Sequence, residues 1–208
     1  MIKYPRTLHL PFSPGVNKDD RKFNNLSCFK GKRIVVLEKM DGENTTMTSS
    51  TLYARSPSGS SHDSQSWVRG LHGRIKHTIP IGYRICGENL YAKHSIYYKD
   101  LTSYFQVFSI WDDNEESSCL PLEDTLHWCE ELHLVHTPVL IQPHVFDEEL
   151  LKELATKLNT HTTEGFVIRN IDSFPHKDFH LNVAKYVRAN HVSSDEHWKL
   201  NWRKNGLN

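Results

Sequence analysis

The 208-residue sequence predicts a single domain of the α+β class, with antiparallel sheets flanked by helices. Short runs of β-branched and apolar residues recur along the chain, mostly separated by brief connections of the hairpin kind. Segments with the helical spacing of apolar residues are fewer and are inserted between those runs. A composition of 38% hydrophobic and 24% charged residues fits one globular domain over residues 1–208.

Seven segments have the continuous or alternating apolar character of strands. They comprise residues 33–39, 45–48, 52–55, 83–90, 104–111, 165–169 and 183–187. The Asp41-Gly42 pair is a turn signal between the first two segments, so we expect these two strands to form a hairpin. Residues 4–15 include three prolines and are predicted to form an extended arm with turns.

Three helices are predicted from apolar spacing and from residues that favour helix starts. Trp67, Leu71 and Ile75 recur every four residues and indicate one amphipathic helix. The second helix begins at Pro121, because proline is tolerated in the first turn of a helix. Asp147 is expected to cap the third helix.

Two further segments are polar or basic. Residues 56–64 are rich in serine and are predicted to form a surface loop. The tail at 198–204 mixes tryptophan with basic residues, and such a mixture can contact nucleic acid. For this tail we favour a helix that packs its tryptophans on the domain.

The charge pattern limits the classes of ligand. The chain has 25 basic and 25 acidic residues, and this balance argues against a protein that coats polyanions indiscriminately. Residues 1–104 hold 16 Lys and Arg against 8 Asp and Glu, whereas residues 105–208 hold 9 against 17. The asymmetry allows one basic face, which would suit a phosphate-rich ligand.

Several other classes of protein do not fit the sequence. No stretch approaches the roughly 20 apolar residues of a membrane span, and the N-terminus lacks the apolar core of a secretory signal, so we expect a cytoplasmic protein without membrane contact. Four cysteines without a C-x-x-C pair form neither a disulfide framework nor a zinc ribbon. The densest histidine group, at 127–136, lacks a second ligand pair at zinc spacing.

Lys39 is the first candidate for chemistry. It ends a hydrophobic strand and is followed closely by Asp41-Gly42. A lysine in a half-buried strand is costly to keep charged, and desolvation or a nearby cation would lower its pKa towards that of a nucleophilic amine. On this short pattern alone, a strand-end lysine whose ammonium reaches water is the simpler explanation.

The later predicted strands add further polar and aromatic groups. Arg55, Glu88, Phe108, Glu164 and Lys185 supply two cations, two isolated carboxylates and an aromatic ring. The glycine before Glu88 would permit a ligand to approach the backbone closely. Together with the lysine described above, these groups suit the binding of a nucleotide and the transfer of its α-phosphate.

This series resembles the motifs of the ATP-dependent RNA ligases, a family of covalent nucleotidyltransferases, and in particular the branch of the phage nick-sealing RNA ligase. Residues 38–44 are similar to the family's nucleotide-attachment motif, K-x-[DH]-G-x-N. Residues 164–169 are similar to its E-G-h-V-h-[RK] motif. The matching positions follow the family's order over residues 38–188, and the resemblance implies a nucleotidyltransferase domain of the ATP-grasp-like kind.

The resemblance also implies roles for the matching residues. Lys39 would be the catalytic nucleophile, and Lys185 would be a second catalytic residue that stabilises charge on the α-phosphate. Glu164 would serve the metal, Glu88 would bind the ribose, and Phe108 would stack on the adenine. The residues implied to bind the nucleotide are Glu38, Asn44, Arg55, Glu88, Phe108, Glu164 and Lys185.

Two positions depart from the family pattern. The aromatic motif usually continues with aspartate, whereas this chain has Ser109, so the role of the aspartate is either unfilled or supplied by Asp112 or Asp113. The last motif usually has two lysines two positions apart. Here Val187 holds the second position, and Arg188 would point to the opposite face of the strand. Because the chain ends about twenty residues later, we expect no separate C-terminal domain.

The resemblance implies a three-step reaction with ATP and Mg²⁺, with Mn²⁺ as an alternative metal. Lys39 would attack the α-phosphate of ATP and release pyrophosphate, forming lysyl-AMP. The AMP would move to the 5′-phosphate of an RNA strand, and a neighbouring 3′-hydroxyl would displace it and seal the strand. We therefore expect RNA with 5′-phosphate and 3′-hydroxyl ends as the partner of a monomeric enzyme, alone or with a repair partner protein.

Two alternatives stay open at this point. The same lysyl-nucleotide chemistry could serve DNA nicks, as in a DNA ligase, or use GTP on an RNA 5′ end, as in a capping-type guanylyltransferase. The chain could also be a nucleic-acid-end binding module with weak catalysis or none. The residues around Asn44 favour the RNA ligase.

Overall fold

The computed structural model describes residues 1–55, 62–189 and 202–208. Most of the predicted loop at 56–64, and Trp198 and Lys199 of the predicted tail helix, lie outside these ranges. The strands are β1 (Leu8–His9), β2 (Arg33–Lys39), β3 (Glu43–Thr48), β4 (Leu52–Ala54), β5 (Tyr83–Asn89), β6 (Phe105–Asp112), β7 (Ser118–Cys119), β8 (Val135–His136), β9 (Val139–Val145), β10 (Gly165–Asn170), β11 (Phe174–Pro175) and β12 (Val183–Val187). The α-helices are α1 (Ser66–Ile75), α2 (Leu122–Glu131) and α3 (Glu148–Lys157).

The strands form two sheets. One has five strands in the order β1-β12-β10-β2-β9. The other has seven, in the order β11-β7-β6-β5-β3-β4, with β8 added beside β6. Most neighbouring strands are antiparallel, and β1–β12 and β6–β8 are the parallel pairs among the described residues. The predicted α+β class with antiparallel sheets is confirmed.

The three predicted helices are present. The first spans the predicted apolar positions, and the second begins directly after Pro121. Asp147 caps α3, since its carboxylate accepts hydrogen bonds from the backbone N–H groups of Glu149 and Leu150 at 2.9 and 3.2 Å. None of the helices that the structure describes is both long and apolar enough to cross a bilayer.

The expected hairpin between residues 33–39 and 45–48 is wrong. β2 pairs with β10 and β9 in the five-stranded sheet, whereas β3 pairs with β4 and β5 in the seven-stranded sheet. The Asp41-Gly42 turn therefore connects the two sheets. Glycine is required at position 42, because a Cβ atom there would clash with the backbone carbonyl of Asn89.

The helices cover the outer faces of the sheets and leave the inner faces to meet at a cleft. Leu151 of α3 packs with Ile34 and Val36 in the core beneath the five-stranded sheet. Because side chains alternate along a strand, Leu37 and Lys39 of β2 lie on the opposite face, in the cleft. α1 and α2 cover the seven-stranded sheet in the same manner.

Two segments differ from the sequence prediction for physical reasons. β9 is not indicated by the sequence pattern, because Pro143 interrupts it; as an edge strand it tolerates proline. The tail is not helical where the structure describes it. Lys204 and Leu207 instead form isolated bridges with Ala92 and Leu101.

Candidate active site

The cleft between the two sheets collects the residues that the sequence singles out. The described residues that line it are Tyr4, Pro5, Thr7, Leu37, Glu38, Lys39, Met40, Gly42, Asn44, Arg55, Glu88, Phe108, Thr137, Val167, Arg169, Val183 and Lys185. Seven of the eight candidate site residues are therefore in its wall. The eighth, Glu164, reaches the cleft through its contact with Lys39.

Lys39 forms an ion pair with Glu164, with Nζ 2.6 Å from Oε2. The pairing of β2 with β10 accounts for this contact, since Gly165 lies directly opposite Lys39. Glycine is needed at position 165, because a Cβ atom there would clash with the backbone carbonyl of Tyr186 on β12. The Glu164 carboxylate, which has 3% of its side chain exposed, is therefore buried beside the amine.

The electrostatics of Lys39 are opposite to the sequence expectation. Burial alone would lower its pKa, but the carboxylates of Glu164 and Glu88 outweigh burial and raise the pKa above its ordinary value. The expected lowering of this pKa is therefore wrong for the site as the structure shows it. Lys39 is an ammonium until the charge of its carboxylate neighbours is neutralised.

Glu88 lies across the cleft on β5. Its Oε1 accepts a hydrogen bond from the backbone N–H of Gly42 at 3.2 Å, and its strand position is opposite Asn44 on β3. Burial is the main cause that raises its pKa to about 8, and the Glu164 carboxylate adds to the shift. Glu88 therefore ionises less readily than an ordinary glutamate.

The glycine before Glu88 has a different role from the one expected. A Cβ atom at Gly87 would clash with the ring of Phe105 and with the carbonyl of Gln106, both on β6. The missing side chain therefore accommodates the neighbouring strand. The expectation that it admits a ligand is wrong.

Lys185 extends from β12 into the same cleft. Its Nζ lies 3.6 Å from Oδ1 of Asp20. Burial and the charge of Lys39 lower its pKa, and Asp20 opposes the shift. Val187 is buried, with 2% exposed, and Arg188 is not among the residues that line the cleft.

A bulge in β6 places Phe108. Cys86 pairs with Ser109 and Gly87 pairs with Val107, so Phe108 has no partner on β5. An extra residue in one strand re-aims the side chains around it. Phe108 lies in the cleft wall, whereas Val107 packs in the core on the other face of the sheet.

Neither Asp112 nor Asp113 replaces the aspartate expected after Phe108. Asp113 Oδ2 accepts a hydrogen bond from Arg84 Nε at 2.7 Å. Asp112 accepts a hydrogen bond from the backbone two residues later. Neither carboxylate lines the cleft. The expectation that Asp112 or Asp113 supplies the role of the missing aspartate is therefore wrong.

Three further candidates occupy the cleft wall near its edge. The backbone N–H of Arg55 donates to the carbonyl of Asn44 at 3.0 Å, which holds Arg55 beside β3. The side-chain Oδ1 of Asn44 is buried and has no hydrogen-bond partner, so it can accept one from a ligand. Burial raises the pKa of Glu38, and a hydrogen bond with Thr163 opposes that shift.

The Asp41 side chain stabilises the turn that follows Lys39. The sequence indicated only that a turn occurs at Asp41-Gly42, and it did not predict this role of the carboxylate. Its Oδ2 accepts hydrogen bonds from Ser95 N at 2.8 Å, Ser95 Oγ at 2.7 Å and Ile96 N at 2.9 Å. Its own backbone N–H donates to Tyr98 Oη at 2.9 Å. These bonds fix the backbone on which the Lys39 side chain is mounted.

Sequence reasoning also missed the N-terminal arm. Tyr4, Pro5 and Thr7 line the cleft, and the ring of Tyr4 lies edge-to-face against Phe108 with centroids 5.0 Å apart. These contacts join distant parts of the chain, so no local pattern indicates them. The prolines of the arm indicated only that it is extended.

Known proteins share this architecture. The chain is similar to solved structures of a putative ATP-dependent DNA ligase from Aquifex aeolicus (21% identity, TM-score 0.55, 90% of this chain and 50% of that one) and of an archaeal ATP-dependent RNA ligase (15%, 0.59, 90% and 48%). It is also similar to a Naegleria gruberi RNA ligase structure with pyrophosphate (13%, 0.53, 89% and 57%). The chain thus spans about half the length of these structures, and likeness at this identity shows a shared fold.

The sequence itself shows the family. No curated protein matches the chain. The model of the RNA ligase family, however, matches residues 32–187, which include all the candidate site residues from Glu38 to Lys185. Since this match covers well over half of the chain, the protein belongs to the RNA ligase family.

Proposed function

We propose that this protein is an ATP-dependent RNA ligase that carries AMP on Lys39, and that residues 1–208 act as one nucleotidyltransferase domain. The observation that carries the proposal is the position of Lys39 Nζ, in a cleft, 2.6 Å from Glu164 Oε2 and near Glu88 and Lys185. A nucleophilic amine, carboxylates and a second cation are the groups that such a transfer requires.

In the first step, the lone pair of Lys39 Nζ forms a bond to the α-phosphorus of ATP. The bond from that phosphorus to the oxygen bridging to the β-phosphate breaks, and pyrophosphate leaves with its electron pair. The ammonium proton must leave Nζ before the attack, and because 24% of the Lys39 side chain is exposed it can pass to solvent water. Lys185 is placed to stabilise the charge that develops on the α-phosphate oxygens.

The remaining cleft residues support nucleotide binding. The ring of Phe108 offers a stacking surface to the adenine. The Glu88 carboxyl can hydrogen-bond the ribose hydroxyls, and Asn44 can contact the phosphates or the water around them. Glu38 and Arg55 complete the proposed contacts at the edge of the cleft.

The cleft fits a divalent cation such as Mg²⁺ or Mn²⁺ together with the nucleotide. Among the described residues, no group of three or more His, Cys, Asp or Glu side chains could hold a metal by itself. Mg²⁺ is commonly held by one or two carboxylates, substrate phosphates and water, and we propose Glu164 as the carboxylate that holds it. When bound, it would supply positive charge that offsets the carboxylates and lowers the Lys39 pKa.

In the later steps, AMP would pass from Lys39 to the 5′-phosphate of an RNA strand. A neighbouring 3′-hydroxyl would then attack that phosphorus, release AMP and close the phosphodiester. Transfer to DNA ends is the alternative within the same chemistry. A binding module with weak catalysis is a second candidate, because Val187 leaves one fewer cation on the cleft face of β12.

The experiment is an incubation of the purified protein with each α-labelled nucleoside triphosphate and Mg²⁺, followed by a sealing assay on nicked duplexes and single strands. We expect covalent label from ATP alone and joining of RNA 3′-hydroxyl and 5′-phosphate ends. Label from GTP alone would point to a capping-type enzyme. The absence of label from every nucleotide, with retained binding of nucleic-acid ends, would support the binding module.

A further inference from the structure

The first residues of the chain contribute to the cleft although they lie outside the region matched by the family model, which begins at residue 32. β1 pairs in parallel with β12, and His9 lies directly opposite Lys185. The backbone of residues 21–23 then returns beside β1, with hydrogen bonds of 2.8 and 2.9 Å to His9. This return brings Asp20 beside Lys185.

Asp20 lies close to both Lys185 and His9. Its Oδ1 lies 3.6 Å from Lys185 Nζ, and its Oδ2 lies 3.3 Å from His9 Nε2. Oδ2 also accepts a hydrogen bond from the backbone N–H of Asn17 at 3.3 Å. Only 18% of the Asp20 side chain is exposed, whereas the neighbouring Asp19 is an exposed residue.

His9 lies beside this carboxylate on β1, directly opposite Lys185 on β12. It is 1% exposed, and its Nδ1 is 2.9 Å from Ser13 Oγ. Ser13 is fully buried, and its hydroxyl accepts a hydrogen bond from the backbone N–H of Val187 at 2.9 Å. The hydrogen bond between Ser13 and Val187 therefore holds the arm on β12, two residues from Lys185.

Lys185 needs such a partner. Its side chain is 17% exposed and shares the cleft with the like charge of Lys39, so burial and repulsion both disfavour the ammonium form. The Asp20 carboxylate, at 3.6 Å, offsets the cost of burial and the repulsion from Lys39. At this distance the ammonium can still donate hydrogen bonds to a phosphate.

We propose that Asp20 is a positioning residue that holds the Lys185 ammonium towards the α-phosphate during transfer of AMP to Lys39. The inference rests on the proposed function. It adds that the arm before residue 32 is part of the nucleotide site, a part that the family-matched region does not contain.

The test compares Asp20→Asn with Asp19→Asn, a matched change at the adjacent exposed carboxylate, and with Asp20→Glu, which keeps the charge. The rate of AMP labelling is measured as a function of ATP concentration, and thermal unfolding is followed for each variant. We expect Asp20→Asn to lower the rate at saturating ATP at least about fivefold with less than about a twofold change in the half-saturating ATP concentration. Asp19→Asn should match the unmodified protein, and Asp20→Glu should recover part of the rate.

A double variant separates positioning from general support of the fold. If Asp20 acts through Lys185, adding Asp20→Asn to Lys185→Ala causes no further loss of labelling rate. Losses that multiply in the double variant, or an Asp20→Asn variant that behaves as Asp19→Asn does, would overturn the inference and leave the proposed function standing. An unmodified protein that never takes up AMP would overturn the proposed function and this inference with it.

Discussion

Lys39 and Glu164 are 125 residues apart in the sequence, yet Nζ and Oε2 lie 2.6 Å apart. The contact depends on the register of β2 with β10 and on the absence of a side chain at Gly165. It keeps the amine protonated, because the carboxylates around Lys39 raise its pKa. The same pair can release the amine as a nucleophile once that negative charge is offset.

Removal of the Glu164 carboxylate should impair AMP transfer. We expect Glu164→Ala to lower the labelling rate on the order of 100-fold and to increase the Mg²⁺ concentration needed for half-maximal rate. The control is Glu116→Ala, which removes an exposed carboxylate paired with Lys177 at the surface. Equal rates and equal Mg²⁺ dependence in both variants would contradict a metal role for Glu164.

The two cations of the last strand should differ in importance. Lys185 lines the cleft and Arg188 does not, so Lys185→Ala should lower the labelling rate on the order of 100-fold or more. Arg188→Ala should leave labelling within about twofold of the unmodified protein. The measurement is the labelling rate of both variants. A loss in Arg188→Ala as large as that in Lys185→Ala would show that Arg188 replaces the missing second lysine.

Glu88 should determine whether the sugar is recognised. The unmodified protein is expected to prefer ATP over 2′,3′-dideoxy-ATP by about tenfold, the effect of losing hydrogen bonds worth about 1 kcal/mol each from the two ribose hydroxyls. Glu88→Ala should bind ATP more weakly and lose that preference. Competition between the two nucleotides during labelling measures this preference for ATP in both proteins. A preference that persists in the variant would assign Glu88 a structural role instead.

His136 should make the fold sensitive to acid. Its Nδ1 lies 2.7 Å from the carbonyl oxygen of Thr137, its Nε2 is buried without a partner, and burial lowers its pKa to about 4. Because the unfolded chain binds this proton near pH 6.5, stability is lost as pH falls from 6.5 towards 4, by up to about 1.4 kcal/mol per pH unit.

Urea unfolding of the unmodified protein and of His136→Asn, which keeps a donor near the Nδ1 position, measures this contribution. The stability advantage of the unmodified protein at pH 7 should shrink by pH 5. If the difference in the free energy of unfolding between the two proteins does not change with pH, His136 has the same pKa in the folded and unfolded chains.

The sequence was informative where short-range chemistry decides the structure. The apolar run of 33–39 and the cap at Asp147 predicted β2 and α3, because alternation and capping are local properties. Motif matches indicate the candidate residues from Glu38 to Lys185, and the structure brings them to one cleft.

The remaining features depend on long-range pairing. A turn signal at Asp41-Gly42 could not reveal that the strands on its two sides enter different sheets. The bulge at Phe108 and the contact of Asp20 with Lys185 exist only after distant strands have met. Desolvation or a nearby cation predicts a lower pKa for Lys39, and the carboxylates of Glu164 and Glu88 that raise it are distant in the sequence.

The most direct measurement of the central claim is the site of AMP attachment. The protein is incubated with ATP and Mg²⁺, digested, and its peptides are analysed by mass spectrometry beside those of Lys39→Ala. We expect one AMP adduct on the Lys39 side chain in the unmodified protein and none in the variant, whose thermal unfolding should be close to that of the unmodified protein. AMP on a different residue, or an equal adduct in Lys39→Ala, would contradict the account.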